Sequence, residues 1–167
     1  MEIDSGTKAS AILIDLQSSS RATRLVPQGY GAFLAWHPDS TKILYQTERE
    51  DVTDPGLWLV NLSNGSHINI PLPKDFVPEG IQGAAISPDG QHIIYSVTRG
   101  MSYGSSVWLC DIDGTNLRQV MDYPYNAVVN LSWSPDGNRF AFTTLYDSPV
   151  PFADAGLWVS DAKFNRT

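Results

Sequence analysis

Cysteine is nearly absent: Cys110 is the only one in 167 residues. A single thiol rules out an intramolecular disulfide and any cysteine-based zinc site. It reads as a small buried apolar residue. Basic residues are also scarce, 11 Lys and Arg against 18 Asp and Glu, for a net charge of −7 and a pI near 4.7. No basic run can neutralise a phosphate backbone, which excludes nucleic acid as a partner. The acidity itself implies little beyond solubility. No apolar run approaches the roughly 20 residues that span a bilayer, so no transmembrane segment is expected. The opening "MEIDSGTKAS" has neither the basic start nor the apolar stretch of a signal peptide, and the residues alone leave the compartment unknown. The three histidines, His37, His67 and His92, stand in unrelated contexts without zinc-ligand spacing. Neither metal nor cofactor is expected. Nowhere do apolar residues recur at helical spacing between end caps.

What the chain does have is a repeat. "LAWHPDSTKILYQT" (34–47), "AAISPDGQHIIYSV" (84–97) and "LSWSPDGNRFAFTT" (131–144) align with one another. Each is followed by a second unit: "GLWLVNLSNG" (56–65), "SVWLCDIDGT" (106–115) and "GLWVSDAKFN" (156–165). Trp58, Trp108 and Trp158 fall 50 residues apart. A partial copy, "AILIDLQSSSRATRLV" (11–26), opens the chain, with Ile12 at the Trp position. Each full copy reads as four strands. A short apolar strand leads into a P-D-G or P-D-S turn, where Pro fixes φ, Asp caps the turn and Gly tolerates positive φ. An alternating strand follows, then the Trp strand, a second turn and a fourth strand. The expected class is therefore all-β, with β-propeller blades of four antiparallel strands. Counting gives 13 strands, about three to three and a half blades. The divisions are a half blade over 1–30 (strands three and four), blades over 31–80 and 81–127, and 128–167 as a blade lacking its fourth strand.

The W-S-P-D-G-x-x-apolar-Ala-aromatic pattern from Trp133 to Phe142, with variants at Ile86–Tyr95 and Trp36–Tyr45, resembles the WD40-like repeat of TolB-like β-propellers. The likeness runs over about residues 11–161. His37 and Ser40 depart from it, standing where the other copies have Ser and Gly. Propellers of this kind are mostly interaction modules of extracytoplasmic assemblies. The resemblance therefore implies a periplasmic or otherwise extracytoplasmic, non-catalytic module.

One stretch competes with that reading. Gly100-Met101-Ser102-Tyr103-Gly104 spells G-x-S-x-G, the nucleophile elbow of serine hydrolases. An elbow needs a strand, a strained turn at Ser and then a helix, with acid and His downstream. Here "SSVWLCDI" reads as a strand, and all three histidines precede Ser102. Ser102 is expected to be a loop serine and no catalytic residue is assigned. "DIDGTN" (111–116) lacks the distal Glu of a calcium loop and reads as a hairpin turn. Asp39, Asp89 and Asp136 recur for turn geometry, which argues against a unique active site. Four N-x-S/T triplets, at Asn61, Asn64, Asn130 and Asn165, are expected by chance in a chain rich in Asn turns.

Propeller blades put short turns on one face and long loops on the other. The long-loop face collects aromatics and acids. Its candidate binding residues are Tyr30, Glu48, Asp51, Tyr103, Tyr123, Tyr125, Tyr146 and Phe152. Variable loops on a rigid scaffold carry recognition, and aromatics anchor interfaces. The plain alternative for each ring is packing against a neighbouring blade. The expected function is binding of a protein or peptide. Two alternatives stand beside it: the gating propeller of a prolyl-oligopeptidase-type serine peptidase, and a propeller that binds a small ligand or metal. Because 13 strands fall short of a usual ring, the chain is expected to be a homo-oligomer or a fragment of a longer propeller.

Overall fold

The computed structural model describes residues 12–14, 22–24, 31–47, 56–74, 80–99, 102–146 and 155–163. These residues form thirteen strands and no α-helix. A two-stranded sheet pairs β1 (Ile12–Ile14) with β2 (Ala22–Arg24). The first full sheet runs β3 (Gly31–Trp36), β4 (Lys42–Thr47), β5 (Gly56–Asn61), β6 (His67–Ile70). The second runs β7 (Ile81–Ile86), β8 (His92–Arg99), β9 (Ser102–Asp111), β10 (Arg118–Tyr123). The third has three strands, β11 (Asn126–Trp133), β12 (Arg139–Tyr146) and β13 (Gly156–Asp161). All pairings are antiparallel between sequence neighbours, the meander of propeller blades.

The first strands of successive sheets, β3, β7 and β11, lie beside one another. Each carries a register irregularity, at Phe33/Ala35, Ile81/Gly83 and Val129/Ser132, where a bulge bends the strand. The turns after these strands are built alike. His37, Ser87 and Ser134 each accept a backbone hydrogen bond from the third residue on (Ser40, Gly90, Gly137) at 2.8–2.9 Å. Those three donors sit at φ 62°, 71° and 70°, so two are glycines and Ser40 is the exception.

One core lies between the first and second sheets: Leu44, Leu57, Leu59 and Ile70 pack with Ile86, Ile93, Tyr95 and Cys110. A second lies between the second and third: Ile94, Val107 and Leu109 pack with Val128, Leu131, Phe140 and Phe142. A smaller group, Ile43, Tyr45 and Val60 with Trp58, is buried on the far side of the first sheet. The second strands, expected to alternate, are buried on both faces from Ile43 to Thr47 and from Ile93 to Val97. In the second sheet the cause is a neighbouring sheet packed on each face, which leaves no wet face for polar residues.

The connections also differ from expectation in the second sheet. Strands β8 and β9 run on until only residues 100–101 separate them, and Arg99 pairs with Ser102. Ser102 is thus a strand residue rather than a loop residue. From β10 to β11 only Pro124 and Tyr125 intervene. Neither connection is long, because ladder pairing through Ser105, Ser106 and Tyr123 continues to the sheet's end. Of the repeated tryptophans, Trp58 and Trp108 pack against the cores. Trp158 is 42% exposed instead. Trp58 pairs with Asn69 on β6 and Trp108 with Gln119 on β10, whereas β13 has no outer neighbour among the described residues.

Candidate functional site

Strand register gathers several predicted residues at one end of the sheets. Tyr123, the last residue of β10, pairs with Ser105 near the start of β9, which places Tyr103 beside it along the backbone. Asn126 pairs with Tyr146 at the end of β12, directly after the turn that holds Tyr125. Four of the eight predicted positions therefore share one end. Tyr30, Glu48, Asp51 and Phe152 lie outside the described residues.

Two of the rings, Tyr123 and Tyr125, differ in exposure. Tyr125 is 55% exposed on its two-residue turn. Tyr123 is half-buried and meets Phe142 edge-on, 5.6 Å between centroids at 63°. Phe142 in turn stacks on Phe140 at 5.7 Å and 27°. Burial pushes the pKa of the Tyr123 phenol above its ordinary value. It acts here as a neutral amphipathic ring with an apolar body.

The glycine beneath this end has a structural reason. Gly104 sits at φ 149°, and a Cβ there would come within 2.5 Å of the Pro124 carbonyl oxygen. The second Gly of G-x-S-x-G is required by this close approach of β9 to the β10–β11 turn. No helix follows Ser102, so an elbow geometry is missing at the one sequence that spells it.

Buried serines, not legible as functional or structural in the sequence, fix the second sheet to the third. Ser96 Oγ donates to the Val128 carbonyl at 2.7 Å, and the Val128 N–H donates to Ser105 Oγ at 3.1 Å. Both peptide groups of the strand that leads out of the tyrosine end are held from the neighbouring sheet. Another contact across sheets is His37, 3.2 Å from the Gly90 carbonyl through Nε2 and 2.7 Å from Asp39 through Nδ1.

At the opposite, short-turn end, a cleft of about 610 Å³ opens between the second and third sheets. Asp89, His92, Arg118, Trp133, Asp136 and Asn138 line it. Its carboxylates are engaged in their own turns. Asp89 accepts from Ser87 Oγ and the Gln91 N–H, and Asp136 from Ser134 Oγ at 2.6 Å and the Asn138 N–H at 3.0 Å. These bonds hold both acids below the usual carboxylate range. His92 stands between Asp89 (3.9 Å) and Asp111 (3.7 Å). No His/Cys/Asp/Glu group among the described residues is arranged to hold a metal ion.

No protein-family model matches the chain. A curated relative, the C-terminal subunit of a Tricorn-like protease from Sulfurisphaera tokodaii, is 35% identical over 63 residues, 38% of this chain and 7% of that protein. Among solved structures, a TolB protein of Agrobacterium tumefaciens superimposes with a TM-score of 0.76 at 18% identity, over 98% of this chain and 56% of that one. TolB from Acinetobacter baumannii gives 0.65 at 19% identity, over 84% of this chain and 32% of that one. The fold is that of TolB-like β-propellers, and the chain spans 56% or less of each of these three proteins.

Proposed function

We propose that the chain is a non-catalytic interaction module of an extracytoplasmic assembly. In this reading it binds a protein or peptide through the tyrosine-bearing end of its sheets. The observation that carries it is the arrangement at Tyr123 and Tyr125: one ring wedged against Phe142, the next standing out on a two-residue turn. A rigid, half-anchored aromatic pair offers contact area at low entropic cost, as interface anchors do. The same reading assigns Tyr103, Tyr146, Tyr30, Glu48, Asp51 and Phe152 to this surface. The acids assigned with them, Glu48 and Asp51, favour a partner segment that carries basic residues.

Selection of displayed peptides on the intact chain tests this. Enriched peptides are expected to lose at least tenfold in affinity against Tyr125→Ala, while Trp133→Phe at the far cleft leaves binding unchanged. Peptides indifferent to Tyr125→Ala would remove the assignment. A fluorophosphonate probe tests the non-catalytic part, and labelling of Ser102 would end it.

A second reading is favoured by the 35% identity to a Tricorn-like protease subunit. In it, these blades are the propeller of a serine peptidase and guide peptide substrates toward a separate catalytic domain. Sequencing the coding region on either side discriminates the two, since this reading requires a hydrolase domain in the same frame.

A further inference from the structure

Of the asparagines in the chain, only Asn64 is followed by glycine. Both residues are exposed in the turn from β5 to β6, at the short-turn end of the first sheet. Gly65 takes φ 69°, and a Cβ there would meet nothing within 4 Å. The Asn64 side chain is curled forward along the chain, its Oδ1 accepting the Ser66 N–H at 2.9 Å. The ring that this bond closes includes both the amide carbon of Asn64 and the nitrogen of Gly65, and no side chain on Gly65 stands between them. That nitrogen is lightly held. Its N–H donates to the Asn61 carbonyl at 2.9 Å, in a turn where residues 63–66 are all exposed. Water competes for such a bond, so local opening is easy.

We infer that Asn64 is a site of spontaneous deamidation in the folded chain. The Gly65 nitrogen, its proton lost to water, adds to the amide carbon of Asn64. The Ser66 N–H already donates to the oxygen that gains negative charge in this step. The bond from that carbon to the amide nitrogen then breaks, and the nitrogen takes a proton from water and leaves as ammonia. A five-membered succinimide remains. Water opens it at either carbonyl, giving aspartate or isoaspartate. The whole conversion consumes one water, releases one ammonia and adds one negative charge to the net −7.

The repeat shows how the turn receives the first product. In the equivalent turn of the second sheet, one residue shorter, Asp113 and Gly114 precede the closing residue Thr115 as Asn64 and Gly65 precede Ser66. Asp113 Oδ1 accepts the Thr115 N–H at 2.9 Å, the same bond that Asn64 makes. Aspartate at 64 therefore keeps the turn, whereas isoaspartate lengthens the backbone by a methylene and breaks the match. The inference rests on this turn and not on the tyrosine end, so either can fail alone.

The test is peptide mapping by mass spectrometry of the wild-type chain held at pH 8, in buffer and in urea, with isoaspartate read by enzymatic methyl labelling. Asn116 and Asn138, exposed in other turns and followed by Leu117 and Arg139, are internal controls. In buffer, conversion at Asn64 is expected to be at least tenfold faster than at either, because glycine alone leaves the attacking nitrogen unshielded. It should quicken as pH rises and give isoaspartate as well as aspartate. Asn64→Gln, whose longer side chain closes a less favourable ring, is expected to stay unconverted over the same period. Conversion no faster than at the controls, conversion confined to urea, or a product without isoaspartate would each overturn the inference. Asn64→Asp is expected to melt with wild type, and a lowered melting temperature would overturn the equivalence with Asp113.

Discussion

Ser40 occupies a left-handed backbone position, φ 62°, where the second and third turns use Gly90 and Gly137. A side chain there costs roughly 1 kcal/mol in backbone strain. Ser40→Gly is therefore expected to stabilise the fold by up to about 1 kcal/mol, read as a raised urea midpoint; a lowered midpoint would contradict the repeat's turn chemistry. The aspartates of the same turns give a pH signature. Asp39, Asp89 and Asp136 are held below their ordinary values by hydrogen bonds from Thr41, Ser87 and Ser134 and from turn N–H groups. Asp136 lies at about 2. Because the folded values are depressed, their contribution is complete above the unfolded value near about 4 and is lost as pH falls toward about 2. Melting temperature should accordingly drop between pH 5 and pH 2.5, and Asp136→Asn should flatten that slope. Cys110 shows the opposite displacement: burial first, then Asp111 and Asp113, pushes its thiol up to about 12. A thiol reagent at pH 8 is expected to label the chain only in denaturant.

Strand β9 shows how a tertiary constraint reaches down to one residue type. Gly104→Ala would set a Cβ against the Pro124 and Tyr123 carbonyls at 2.5–2.8 Å, backbone atoms that cannot step aside. We expect a loss of about 2 kcal/mol or more in denaturant unfolding, on the scale of strained backbone positions. Ser105→Ala would leave the buried Val128 N–H without its acceptor, at a cost of about 1–3 kcal/mol. The sequence announces the blades themselves. The P-D-G turns and the 50-residue tryptophan spacing fix their phase because each needs particular residue types at particular backbone angles. It does not announce Ser96 and Ser105, since serine in a strand looks solvent-facing until the next sheet is seen to cover it. For the same reason "MSYGSS" and "DYPYN" read as loops by composition, while cross-strand pairing carries both into the ladder. Of the proposed site, the clustering of Tyr103, Tyr123, Tyr125 and Tyr146 at one end follows from the blade pattern alone. The edge contact of Tyr123 on Phe142 does not, because it joins two sheets.

Across the whole arc, protection from solvent is unequal, and the inequality is measurable. The second sheet is covered on both faces, by the first sheet through Ile93 and Tyr95 and by the third through Ile94 and Val107. Strand β8 lies inside that sheet with hydrogen-bonded neighbours on both edges. The third sheet packs through one face only, and β13 has one paired edge among the described residues. Local opening is easiest where buried apolar contacts and ladder bonds are fewest. Opening β13 breaks a single ladder and uncovers little apolar area, whereas opening β8 breaks two ladders and exposes two cores. In native-state hydrogen exchange, peptides over 92–99 should exchange only through global unfolding. Peptides over 156–161 should exchange several orders of magnitude faster, by local fraying. Equal protection of the two would mean that the arc unfolds as one unit.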